Sequence, residues 1–182
     1  MKECFIIAEI GVNHNGDIKL AQKMIDSAKE CGADAVKFQT FTAENLVSPT
    51  TPKVAYQNRT TSSQESHFDM IKRLELSFDD HYLLKKYCDS HKIEFLSTPY
   101  DIKSAKFLHE QLDVKFFKTA SADIVDIPLH IYISSTGKHS FVSVGMSTIS
   151  EIQDVVDVYS KKNLTLMHCV SNYPCKDESL NM

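Results

Sequence analysis

FIIAEIGVNHNGDIKLAQKMIDSAKECGADAVKF (5–38) reads as a strand, a helix and a second strand. Residues 5–8 and 35–38 are short, largely apolar runs, the pattern of parallel strands covered on both faces. Between them Ile18, Ala21, Met24, Ile25, Ala28 and Cys31 fall on one helical face. Asp17 is placed to cap the start of that helix, and Gly32 to end it in a left-handed turn. Parallel neighbours need a crossover connection, and the helix supplies one.

The same unit recurs along the chain. Further runs lie at 93–96, 114–117, 140–144 and 164–167, and their starts are 21 to 26 residues apart. Ser77-Phe78-Asp79-Asp80 and Thr148-Ile149-Ser150-Glu151 read as capping boxes, and Asp101 as the cap of a helix carrying Ala105, Phe107 and Leu108. Residues 124–135 are expected to form only a helix start or short turn, because Pro128 interrupts them. A polar insert, residues 40–75, separates the second and third runs and marks a long loop of the kind that carries function. Repeated βα units without hairpin signals give an α/β fold with a parallel sheet. No run is followed by G-x-G-x-x-G or a Walker pattern, which disfavours a nucleotide-binding doubly wound sheet. The expectation is a (β/α)8 TIM-type barrel truncated after about six βα units, so that residues 1–182 form one incomplete catalytic domain.

Composition narrows the function classes. The 182 residues are 42% hydrophobic and 24% charged with a net charge of -4, ordinary values for a globular chain. There is no basic stripe for nucleic acid and no apolar run of the roughly 20 residues a membrane helix needs. Glu9 closes the short apolar run near the N-terminus and no small-residue cleavage site follows, so a cytoplasmic location is expected. Cys4, Cys31, Cys88, Cys169 and Cys175 include no C-x-x-C pair and read as small buried apolar thiols in a reducing compartment.

In a βα-barrel the site forms at the C-terminal ends of the strands, and polar residues gather at those positions here. They are Glu9, Asn13, His14 and Asn15; Lys37 and Gln39; Ser97 and Thr98; Lys118, Ser121 and Asp123; Ser143; and His168, Ser171, Asn172 and Tyr173. Lys37 and Lys118 stand out because apolar strand residues flank each. Two such ammonium groups suit a phosphate or carboxylate, and Thr98, Ser121 and Ser143 can add neutral hydrogen bonds. Glu9 is a candidate base or polar anchor. Spacing alone supports an anion-binding barrel and no particular reaction.

The motifs AEIGVNHNG (8–16), DAVKFQTF (34–41), SQESHFDMIKRLELS (63–77), FLSTPYD (95–101), FFKTASAD (116–123), SVGMST (143–148) and LMHCVSNYP (166–174) occur in this order. In that order the chain resembles the sialic acid synthase family, which includes N-acetylneuraminate, legionaminate and pseudaminate synthases and spore-coat relatives. The resemblance implies condensation of phosphoenolpyruvate with an N-acetylated hexosamine-type aldose to a nine-carbon 2-keto acid and phosphate. It also implies a homodimer and a divalent metal, Mn or Mg. By position it assigns Lys37, Thr98, Lys118, Ser121 and Ser143 to phosphoenolpyruvate, and Glu9, Gln39, Asp123 and Tyr173 to the sugar or the reacting centre. Gln64 and Ser171 complete the substrate-binding set, and Glu9, Asp123 and Lys118 form its catalytic part.

The sequence departs from the family pattern at named positions. Asp123 stands where many members have Glu, Ser171 where some have Asn, and Gln64 at an Asn position. The family's metal-binding histidines and an antifreeze-like C-terminal domain lie downstream of HCVSNYP. Neither is expected in a chain that stops at Met182, which alone should neither turn over nor be very soluble. The alternatives are a related phosphoenolpyruvate-dependent 3-deoxy-ulosonate phosphate synthase, which AEIGVNHNG and HCVSNYP fit poorly, and a non-catalytic remnant binding only ligand or partner subunits.

Overall fold

The computed structural model describes residues 4–53, 65–172 and 174–181. The chain divides into two compact units, Met1–Phe95 and Leu96–Met182. Unit 1 contains β1 (Ile7–Gly11), α1 (Ile18–Glu30), β2 (Ala35–Thr40), α2 (Ala43–Leu46), α3 (His67–Leu74) and α4 (Phe78–Ser90). The boundary falls within β3 (Glu94–Pro99). Unit 2 continues with α5 (Ile102–Lys106), which runs into a π-helical turn at Phe107–Gln111, then β4 (Phe116–Thr119) and α6 (Ile127–Ser135). It ends with β5 (His139–Ser143), α7 (Ile149–Val158) and β6 (Leu164–Met167). The strands form two three-stranded sheets, ordered β1-β2-β3 and β4-β5-β6, and the β1–β2, β4–β5 and β5–β6 pairs are parallel.

In unit 1 the expected caps hold α1 in place. The Asp17 carboxylate accepts from the Lys19 and Leu20 amides at 2.7 and 3.3 Å. The far end closes as a Schellman turn through left-handed Gly32, with Ala33 N donating to Ala28 O and Gly32 N to Lys29 O. Ala21 and Ile25 on the inner face of α1 are fully buried, as are Val36, Phe38 and Phe95 on the strands. Phe38 and Phe95 stack with ring centroids 5.5 Å apart. The β1–α1 turn uses Asn13, whose side-chain amide donates to Ile10 O at 2.9 Å, and Gly16, at φ +77°. A side chain at Gly16 would meet the Arg73 carbonyl at 2.5 Å, so glycine lets the turn lie against the end of α3.

The described part of the insert is more ordered than its polar composition implies. Both α2 and α3 lie within it, joined where Ala43 N donates to the Glu75 carboxylate and where Lys72 reaches Glu44 and Glu75.

Unit 2 corrects one expectation. Residues 127–135 form a nine-residue helix, not a turn. Pro128 sits in its first turn, where a missing N–H costs nothing, and the Asp126 side chain caps it by accepting from Leu129 N at 3.1 Å. Both sequence-predicted capping boxes form, Ser77 with Asp80 in unit 1 and Thr148 with Glu151 in unit 2.

Strand limits also move. β2 runs to Thr40 and β3 to Pro99, so Gln39, Ser97 and Thr98 join Lys37 inside strands, and Glu9 likewise lies mid-strand in β1. Pairing satisfies the backbone there, so extended structure continues through polar side chains that sequence pattern alone places beyond it. β1 and β6 each lie at an edge of their sheet, and Phe5, Ile6 and Leu166 are exposed. No helix among the described residues is long and apolar enough to cross a membrane.

Candidate anion-binding site

In unit 1 the structure brings together Glu9, Lys37 and Gln39. Lys37 is 9% exposed and its ammonium pairs with the half-exposed Glu9 carboxylate. The side chains of Glu9 and Gln39 both flank Gly11, the last residue of β1. Behind them two buried histidines brace the strands. His81 donates from Nδ1 to Ser77 O at 2.9 Å, and its Nε2 lies 3.0 Å from Thr40 Oγ1. His14 accepts from Gly16 N at 3.0 Å. Burial lowers the affinity of both rings for a proton, and the proximity of His81 lowers that of His14 further.

Unit 2 gathers Lys118, Ser121, Ser143 and Ser171. The β4–β5 register pairs Lys118 with Phe141, which puts Lys118 and Ser143 on one face of the sheet. Lys118 is 8% exposed, and its ammonium donates to the Ser143 hydroxyl and, at 2.7 Å, to Thr119 O. Ser143 Oγ also accepts from the Cys169 thiol at 3.3 Å. Ser121 Oγ accepts from Gly145 N at 3.0 Å, and Ser121 Oγ and Ser171 Oγ both crowd Gly145. Two strand residues, two strand-following turns and the segment after β6 thus place one hydroxyl, Ser143, on the ammonium and two more, Ser121 and Ser171, beside Gly145.

Asp123 follows in the 3-10 turn Ser121–Asp123. Its Oδ2 is buried and has no hydrogen-bond partner among the described residues. Burial raises its carboxyl to about 6, with nearby Asp126 adding to the rise and Lys118 opposing it.

The other expected residues fall as follows. Thr98 is buried in β3. Gln64 and Tyr173 lie outside the described residues. The exposed His168 donates from Nε2 to Leu180 O at 2.7 Å. All five cysteines are free thiols, but against the expectation of burial Cys88 is buried while Cys4, Cys31 and Cys175 are exposed. Gly145 and Cys169 are not legible as site residues in the sequence: a glycine shows no chemistry there, and a lone cysteine reads as a small apolar thiol. Their positions inside SVGMST and HCVSNYP are the only signal the sequence carries. Among the described residues no group of three or more His, Cys, Asp or Glu side chains is arranged to hold a metal ion.

Residues 24–182 match the model of the NeuB family. The chain belongs to the NeuB family. Among NeuB relatives, an N,N'-diacetyllegionaminic acid synthase of Legionella pneumophila is 42% identical over 98% of this chain and 52% of its own length. A Campylobacter jejuni protein of the same name is 41% identical over 100% of this chain and 56% of its own. A crystal structure of an N-acetylneuraminic acid synthetase from Leptospira borgpetersenii, in complex with citrate, superposes with a TM-score of 0.81 at 34% identity, covering 97% of this chain and 57% of that one. The chain therefore has the α/β, TIM-barrel-type fold of NeuB proteins, and it spans about half the length of the curated relatives it matches.

Proposed function

We propose that this chain carries the phosphoenolpyruvate-binding part of a cytoplasmic synthase for sialic acid-type sugars. The reaction condenses phosphoenolpyruvate with an N-acetylated hexosamine-type aldose, giving a nine-carbon 2-keto acid and phosphate. The observation that carries this reading is the buried Lys118 ammonium on the Ser143 hydroxyl, with the Ser121 and Ser171 hydroxyls gathered at Gly145, in a chain of the NeuB family. A fixed cation bordered by small donors suits phosphate and carboxylate oxygens.

In the proposed chemistry, C3 of phosphoenolpyruvate forms the bond to the aldehyde carbon, whose oxygen gains a proton. Water adds at C2, and phosphate departs with cleavage of its C–O bond. Lys118 balances the charge on the anion while the serine hydroxyls orient it. Asp123, held near 6 by burial, can exchange a proton close to neutral pH and would take one from the water adding at C2. Glu9, paired with Lys37, would anchor the sugar with Gln39. Gln64, Thr98 and Tyr173 would join the substrate contacts. The divalent ion implied by the family resemblance finds no fitting donor set among the described residues.

The test is calorimetric titration of the 182-residue chain with phosphoenolpyruvate, together with a phosphate-release assay using 2-acetamido and 2,4-diacetamido hexoses. Binding without turnover is the expected result, with turnover appearing in a longer chain of full family length. Absence of phosphoenolpyruvate binding by both chains would sink the reading.

A further inference from the structure

A serine hydroxyl has one proton to donate and two lone pairs to accept with. Around Ser143 both lone pairs are engaged, one by the Lys118 ammonium and one by the Cys169 thiol at 3.3 Å. The Ser121 oxygen accepts from the Gly145 amide at 3.0 Å. Among the described residues neither hydroxyl donates a hydrogen bond to another protein group. Their protons are therefore left for an acceptor outside the described protein groups.

Gly145 makes the second half of this arrangement possible. A Cβ there would lie 2.9 Å from Ser171 Oγ, 3.0 Å from the Cys169 carbonyl and 3.0 Å from Ser121 Oγ. Two of these atoms are hydroxyls of the anion cluster, and the third belongs to the backbone of the residue whose thiol holds Ser143. Even a methyl group would push the turn after β5 away from the segment after β6 and lengthen the Gly145–Ser121 hydrogen bond.

We propose that Gly145 and Cys169 are positioning residues of the phosphoenolpyruvate site: the Gly145 amide and the Cys169 thiol occupy the acceptor sides of Ser121 and Ser143, so that both hydroxyls present their protons to the anion. Neither residue touches the ligand in this scheme. The inference rests on the anion-site reading above and extends it to two residues with no charge of their own.

Titration with phosphoenolpyruvate, and with inorganic phosphate as a simpler probe, of the unaltered chain and of Gly145→Ala, Cys169→Ala and Cys169→Ser tests it. Cys169→Ala removes the donor and should weaken binding about 5-fold, the size of one ordinary hydrogen bond. Cys169→Ser keeps a donor and should return affinity to within about 2-fold of the parent. Gly145→Ala should cost at least about 10-fold by displacing two hydroxyls at once. If Gly145→Ala does not fold, the cysteine pair decides. Equal affinities for the parent, Cys169→Ala and Cys169→Ser would overturn the proposal while leaving the anion site intact. Equal weakening by Ala and Ser would also overturn it, since packing of the thiol would then matter and not donation. An unaltered chain that binds neither probe would remove both readings together.

Discussion

The two units each bury one lysine, and they treat its charge differently. In unit 1 the Lys37 ammonium meets a carboxylate, Glu9. In unit 2 the Lys118 ammonium is held by the Thr119 carbonyl and the Ser143 hydroxyl, and the carboxyl near it, Asp123, is raised to about 6 by burial. A carboxylate partner neutralises much of a lysine's charge within the protein, whereas a carbonyl and a hydroxyl solvate it without cancelling it. Two lysines that look alike in sequence, each flanked by apolar strand residues, thus have unequal electrostatic roles. Under the proposed function, unit 2 would receive the anion while Lys37 in unit 1 stays paired with Glu9.

The largest effect expected from this difference is on binding. Lys118→Met should weaken phosphoenolpyruvate binding by about 100-fold, in the range found when one partner of a buried charged contact is removed. Lys37→Met should cost about 10-fold or less, because that ammonium is already committed to Glu9. Calorimetric titration of both variants checks the contrast, and equal losses would erase it.

A second contrast lies in the response to pH. His14 and His81 in unit 1 have lowered proton affinity, so their contribution to stability is present above about 6.5 and is lost as pH falls through their lower folded values. His130 in unit 2 behaves likewise. Asp123 acts in the opposite sense: its folded value of about 6 lies above the ordinary 3.8, so its favourable contribution is present below 3.8 and is lost as pH rises through about 6. Asp123→Asn should therefore stabilise the chain by on the order of 2–3 kcal/mol near neutral pH, with the gain shrinking toward pH 4. Denaturant melts of parent and variant across that range measure it. A gain independent of pH would show that burial of the charge is not its cause.

The smallest effects test whether the units share the same local grammar. Ser77→Ala and Thr148→Ala each remove one half of a capping box and should each cost about 1 kcal/mol. Hydrogen exchange should show the loss on α4 amides for the first and on α7 amides for the second. Failure of Thr148→Ser to keep the α7 protection that Thr148→Ala loses would argue against a capping origin.

Much of the local structure is legible in the order of residues. Asp17, Ser77, Asp101 and Thr148 cap helices because the hydroxyl or carboxylate at a helix start satisfies amides two or three residues on, a contact that sequence spacing specifies. The extent of α6 is hidden, because a proline reads as a breaker wherever its place in the first turn is not known. The limits of β2 and β3 are hidden for a different reason: polar side chains at strand ends conceal the continued backbone pairing.

The βα repeat, the helix caps, the two buried lysines and the family all follow from the amino-acid sequence alone, since each depends on neighbours in the chain or on motifs in order. The way each charge is compensated does not, and it took the packed strands to set it. The Lys37–Glu9 pair follows from the β1–β2 register, which sets those residues side by side. The Gly145 amide meets Ser121, and the Cys169 thiol meets Ser143, only because β4, β5 and β6 lie in parallel register. Hydrogen-bond direction at these serines arises from groups 24 and 26 residues apart, and no local pattern of side chains encodes it.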